Sequence, residues 1–225
     1  MEMQKEEIVL YIYHINTENN NTENKSGGFL GEMPEGGAPK QQGKQLSSAF
    51  LAKAASHYLA HHCPRDFAPA FGQEGAVSFR TRKGSHGKPY FPDLPWLHFS
   101  VSHSGEYWAC AMASTEVGLD LQMHTRGRKE QISARFFHPW ENEYLRSCGY
   151  EGFFDIWSAK ESYVKYTGQG IDENFAAFSA ALPTALSSQI NGVQLKHIPF
   201  FPGCSLCLCA PRIDNVVIHY EEQNP

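Results

Sequence analysis

Apolar residues along this chain alternate in some stretches and recur every three or four positions in others, and the two periods divide it into elements. Ile8 to Ile15 reads as a first strand. Asn16 to Gly43, crowded with Asn, Gly, Glu and Lys, reads as a long mobile loop. From Ser47 the positions Phe50, Leu51, Ala54, Ala55, Tyr58 and Leu59 repeat at helical spacing, with Ser47 or Ser48 able to cap the start. Beyond a Pro- and Gly-rich loop from Gly84 to Pro95, Leu97, Phe99 and Val101 alternate with His98, Ser100 and Ser102, which predicts a half-buried strand. Turns at Ser104-Gly105-Glu106 and Ser114-Thr115-Glu116 then lead into Tyr107 to Ala113 and Val117 to Gln122, so the three segments predict a meander. Ser133 to Arg146 and Phe153 to Tyr166 each carry a helical period, and Gly168 and Gly170 suit the end of the second. The final third returns to short strands. Helix and antiparallel strand signals without a repeated strand-helix-strand rhythm point to an α+β class.

Length and charge narrow the picture. With 225 residues the chain can build one large domain or two small ones on a shared core. Its apolar runs are too short to cross a bilayer, and Glu2, Glu6 and Glu7 around the first of them are the wrong charges for a secretory signal, so a cytoplasmic location is expected. A formal net charge of −5 argues against a general nucleic-acid binder. Cys204, Cys207 and Cys209 could bind metal, but no second Cys or His pair stands at finger-like spacing. Alternation of Cys207 and Cys209 with Leu206 and Leu208 instead predicts core thiols on a buried strand.

Three groups of residues carry candidate chemistry. On the strand Val117 to Gln122, Asp120 and Gln122 project from one face, two oxygen donors of the kind magnesium accepts together with water and phosphate oxygens. On the helix Phe153 to Tyr166, Trp157, Glu161 and Lys165 are spaced by four along one face, with Lys160 beside them. A Glu–Lys pair at that spacing is common on solvated surfaces, but a Trp on the same stripe indicates a packed face. Ser102, His103, Ser104 and Gly105 at a strand end could bind phosphate.

In this order the segments His98-Phe-Ser-Val-Ser-His-Ser-Gly105, Val117-Gly-Leu-Asp-Leu-Gln122 and Phe154-Asp-Ile-Trp-Ser-Ala-Lys-Glu-Ser-Tyr-Val-Lys165 resemble the three motifs of 4′-phosphopantetheinyl transferases of the surfactin-synthetase-activating (Sfp-like) type. Gly87-Lys-Pro89 and Pro92-Asp-Leu-Pro95 resemble the segment before the first motif, and the likeness runs from about Gly87 to Gly170. It implies a monomer of two similar pseudosymmetric α+β halves, here residues 1–113 and 114–225 joined near Ser114, with the active site in the cleft between them. It further implies that Asp120 and Glu161 hold Mg2+, with Gln122 standing where the family often has a third acidic ligand. Lys165 would contact phosphate with Lys160 beside it, and Lys88, Ser102 and His103 would hold the phosphates and adenosine of coenzyme A. Glu161 would take the proton of the incoming serine while Lys165 and His103 stabilise the departing 3′,5′-ADP.

Three departures stand out: Gln122 brings no charge, Ser100 replaces a frequent Asn, and the region before Ser47 lacks a close match to the family's basic N-terminal motif. Lys40, Lys44 and Ser47 are approximate matches for the family's basic N-terminal motif. The basic run Arg126-Gly-Arg-Lys129, followed by Arg135-Phe-Phe137, either faces an acidic acyl or peptidyl carrier protein or is a solvated loop with both phenylalanines in the core. Two other functions are open on sequence grounds, namely a homologue that binds coenzyme A or a carrier protein without transfer, and an unrelated magnesium phosphohydrolase.

Overall fold

The computed structural model describes residues 7–15, 39–63, 79–170 and 173–222. In chain order the strands are β1 (Glu7–His14), β2 (Arg82–Lys83), β3 (Pro89–Tyr90), β4 (His98–Ser104), β5 (Tyr107–Ala113), β6 (Gly118–Met123), β7 (Ala181–Leu182), β8 (Ala185–Leu186), β9 (Gln189–Ile190), β10 (Val193–His197), β11 (Cys204–Ala210) and β12 (Asn215–Glu222). The α-helices are α1 (Pro39–His62), α2 (Lys129–Phe136), α3 (Pro139–Ser147) and α4 (Phe153–Thr167). Two four-stranded sheets, ordered β12-β1-β5-β4 and β6-β11-β10-β9, form the frame, and the class is α+β.

The sheets pack face to face. Ile8, Leu10, Ile12, Ala109 and Ala111 of the first meet Leu119, Leu121, Leu206 and Leu208 of the second in one buried cluster. The outer face of the first sheet, with Tyr11, Tyr13, Trp108 and Met112, is covered by Phe50, Leu51, Ala54, Ala55, Tyr58 and Leu59 of α1. The outer face of the second, with Leu195, Cys207 and Cys209, is covered by Ile156, Trp157, Ala159 and Val164 of α4. Alternation thus sends each strand's apolar residues to both faces, as strands buried on two sides require. The six cysteines are free thiols, and Cys207 and Cys209 are core residues. At Ser114 the chain passes from β5 in the first sheet to β6 in the second, and β12 crosses back to pair in parallel with β1.

Three expectations need correction. The helix starts at Pro39 rather than Ser47 and takes in Gly43 from the expected loop, of which 16–38 lie outside the described residues. Proline suits a first turn, which has no use for its missing N–H. Ser47 therefore sits inside the helix, where its hydroxyl accepts the Trp108 indole N–H at 2.9 Å instead of capping. Ser133 to Arg146 is two helices, because Pro139 cannot continue α2 and holds His138 extended at φ −62, ψ 150. His138 and Glu141 then form a reciprocal capping box for α3. Finally, β6 does not complete a meander. It pairs with β11, and along its other edge the N–H groups of Leu119, Leu121 and Met123 donate to the hydroxyls of Ser100, Ser102 and Ser104 on β4. Serine side chains reach across the seam where a backbone ladder was expected.

Candidate active site

The seam between the sheets brings the candidate residues together. Leu119 and Leu121 turn into the inter-sheet core, so Asp120 and Gln122 face α4. Gly118 lets that helix lie directly on β6, since a Cβ there would stand 1.9 Å from the Ser162 carbonyl oxygen and 2.6 Å from the Tyr166 nitrogen. α4 runs on to Thr167 and ends, as expected, on Gly168 in the left-handed conformation at φ 73.

At this contact Asp120 is buried, 5 % exposed. Its Oδ1 accepts from Ser102 Oγ at 2.9 Å and from Lys165 Nζ at 2.7 Å. Its Oδ2 is buried and has no hydrogen-bond partner. Lys165 also donates to Ser102 Oγ at 3.0 Å, so the cation expected beside Glu161 is tied to the strand carboxylate. Glu161 is pushed up to about 7, first by burial and then by the charge of Asp120, with Lys165 pulling the other way. Gln122 commits its amide nitrogen to the Met123 carbonyl at 3.0 Å, leaving Oε1 as the end able to meet a cation.

An orphaned buried carboxylate oxygen and a neighbouring carboxyl that resists ionisation are what two acidic groups look like when a shared cation is their missing partner. Asp120 and Glu161, with the amide oxygen of Gln122, are hard oxygen donors of the kind Mg2+ takes. The residues therefore fit that ion. Among the described residues, no group of three His, Cys, Asp or Glu side chains gathers for metal.

The other expected contacts are placed differently. Lys160 is wholly buried away from Asp120, donating to Glu141 Oε1 at 3.2 Å and the Phe178 carbonyl at 2.6 Å beneath the Phe175 and Phe178 rings. This corrects its expected place at coenzyme A, since its ammonium is spent inside the helical layer. Lys88 donates to Glu116 and, each at 3.1 Å, to the carbonyls of Val117 and Tyr166. It thereby fastens the loop before β4 to the end of α4. His98 and Lys88 hold Glu116 down to about 2. Lys88 and Glu116 line a cavity of about 330 Å³ with Gly84, His86, Thr167 and Gly168.

His103 is exposed and projects from the face of β4 opposite Ser102, so it does not join Asp120 and Glu161. The Ser102 hydroxyl is at the centre but saturated, with one bond donated and two accepted. Lys44 is exposed on α1, and Lys40 lies outside the described side chains. Phe137 is in the core, whereas Phe136 is half-buried beneath the Arg135 guanidinium. Sequence reasoning did not find the roles of Ser100 and Ser104, whose spacing placed them on one face of β4 without naming the strand they would meet. It also missed Ser205, which donates to Asp155 Oδ1 at 2.6 Å and contacts His124 Nε2 at 2.8 Å, tying the start of α4 to β6 and β11.

Comparison with known proteins identifies the family. Residues 116–204, which hold Asp120, Gln122, Glu161 and Lys165, match the 4′-phosphopantetheinyl transferase superfamily. A 4′-phosphopantetheinyl transferase of Bacillus subtilis is 37 % identical over 51 % of this chain and 52 % of its own length. The 4′-phosphopantetheinyl transferase Sfp of Bacillus subtilis strain 168 is 31 % identical over 65 % of this chain and 70 % of its own. The 4′-phosphopantetheinyl transferase HetI of Nostoc sp. strain PCC 7120 is 35 % identical over 68 % and 74 %. The match thus spans from about half to three quarters of these relatives. On the motifs, the seam that assembles them and these likenesses together, the chain belongs to the 4′-phosphopantetheinyl transferase family of transferase enzymes.

Proposed function

We propose that this protein transfers the 4′-phosphopantetheine group of coenzyme A to a serine of an acyl or peptidyl carrier protein, with Mg2+ and with release of 3′,5′-ADP. The observation that carries the reading is the buried, unpartnered Asp120 Oδ2 beside a Glu161 carboxyl pushed up to about 7. Asp120 and Glu161 would hold the ion, with Gln122 Oε1 as a neutral third donor. Bound there, Mg2+ supplies neutralisation of the diphosphate charge. Glu161 takes the proton from the incoming serine hydroxyl, acting as a carboxylate base held beside the reacting groups. The serine oxygen then forms the new bond to phosphorus as the bond to the 3′,5′-ADP oxygen breaks. Lys165, already at the site, contacts the phosphate and stabilises the leaving group. His103, exposed at the end of β4, is an imidazole able to meet a phosphate from solvent.

The basic residues between β6 and α3, with Arg135 over Phe136, suit an acidic carrier surface by steering and anchoring. Free thiols suit a reducing cytoplasm. No helix among the described residues is long and apolar enough to cross a membrane. The test is to incubate the protein with coenzyme A, an apo carrier protein and Mg2+, then weigh the carrier. A gain of one phosphopantetheinyl group, abolished by chelation, is the expected result. An unmodified carrier with coenzyme A bound would point to a non-catalytic homologue, and free phosphate to a hydrolase.

A further inference from the structure

β6 is held on its two edges by different chemistry. On one edge β11 supplies a backbone ladder, and on the other Ser100, Ser102 and Ser104 accept the N–H groups of Leu119, Leu121 and Met123 at 2.9, 3.1 and 3.0 Å. The serines repeat every second residue along β4, and so do the amides they meet. Of the three, Ser102 also donates to Asp120 Oδ1 at 2.9 Å and accepts from Lys165 at 3.0 Å. A hydroxyl has one hydrogen to give and two lone pairs, so nothing remains with which to hold an incoming phosphate.

We infer that Ser102 is a positioning residue for the metal carboxylate rather than a contact to coenzyme A. A carboxylate rotates in a broad well about its last torsion. Left to Lys165 alone, Asp120 could turn either oxygen, or both, to the ammonium. The Ser102 hydroxyl, itself fixed by Leu121 N–H and by Lys165, holds Oδ1, the same oxygen that accepts Lys165 at 2.7 Å, and so leaves Oδ2 without a partner. Ser100 and Ser104 fasten the same strand but do not reach Asp120. The inference rests on the metal reading proposed above. Partners of this kind, one bond behind a ligand, commonly change metal affinity by about 10–100-fold.

The test uses the full chain with saturating coenzyme A and Mn2+ as the probe, measuring free Mn2+ by electron paramagnetic resonance, melting temperature, and the KM for coenzyme A at excess metal. Ser102→Ala should weaken Mn2+ binding about tenfold while leaving that KM unchanged, and Ser102→Thr, which keeps the hydroxyl, should restore affinity. Ser100→Ala should lower the melting temperature without changing Mn2+ affinity. Should Ser102→Ala fail to fold, Ser102→Cys, of similar shape and weaker hydrogen bonding, supplies the same reading. Wild-type Mn2+ affinity with a raised KM in the Ser102 variants would overturn the inference and make Ser102 a substrate contact. Equal loss of affinity in Ser100→Ala would overturn it by reducing the ladder to a structural brace. If the unaltered protein bound no Mn2+, the metal reading itself would fall, and the inference with it.

Discussion

Two lysines five residues apart on α4 show how one helix can serve as scaffold on one side and as site on the other. Lys160 is wholly buried, and its partner Glu141 is satisfied at both oxygens: Oε1 also accepts Ala180 N–H at 2.7 Å and Oε2 accepts His138 N–H at 2.7 Å. Burial pushes Glu141 up and Lys160 down, and each is drawn back by the other. Lys165 is 30 % exposed, and its partner Asp120 is satisfied at one oxygen only. Completion distinguishes the pairs. A closed network fixes α4 against α3 and the strand that follows, whereas an open one leaves bonding capacity for something from outside.

The largest effect should come from breaking the closed side. Lys160→Met leaves Glu141 buried without its cation, and the cost should be about 3–5 kcal/mol, read as an early midpoint in urea unfolding. A midpoint near that of the unaltered protein would mean that this pair is not the brace described.

Glu161→Gln on the open side should reduce transfer by about a hundredfold or more, the scale of losing a general base, while the fold survives. Its stability should depend on pH in a defined direction. Glu161 titrates at about 7 in the folded protein against an ordinary 4.5, so between those values the folded state holds the extra proton. Stability of the metal-free protein should therefore fall as pH rises from about 4.5 through 7, by roughly 3 kcal/mol, and Glu161→Gln should remove that slope. Parallel melting curves for the two proteins at pH 4.5 and 8 would contradict the burial of a reluctant carboxyl.

A smaller change is expected at Lys165. Its replacement by Ala should weaken coenzyme A binding roughly tenfold, the scale of a charged hydrogen bond. A surface partner of Glu161 would instead give a slight shift in melting temperature and unchanged affinity, which isothermal titration alongside thermal melting resolves.

The mildest effect sharpens the account of the open side. Gln122 adds a donor but no charge, so Gln122→Glu should lower the Mg2+ concentration for half-maximal transfer by about several-fold at saturating coenzyme A. Superimposable Mg2+ titrations would remove residue 122 from the site.

Much of this arrangement was legible in the sequence because it rests on local periods. Alternation put Asp120 and Gln122 on one face, spacing by four put Glu161 and Lys165 on another, and the buried run of α1 from Phe50 to Leu59 was read residue by residue. What escaped depends on partners far along the chain. Nothing near Val117 says that β6 will leave β5 for β11, or that its free edge will be met by serines. Nothing near Lys160 says that Glu141, nineteen residues earlier, will face it in the core. A charged residue within a family motif reads as chemistry until its partner is known, and burial decides between the two uses of the same side chain.

The central claim is that the open side of α4 and the face of β6 opposite it form the metal site, and anomalous scattering tests it most directly. Crystals grown with Mn2+ and coenzyme A should show the Mn2+ signal between Asp120 and Glu161, on the Oδ2 side of Asp120 and close to the diphosphate. A signal elsewhere, or none there with coenzyme A bound, would contradict it.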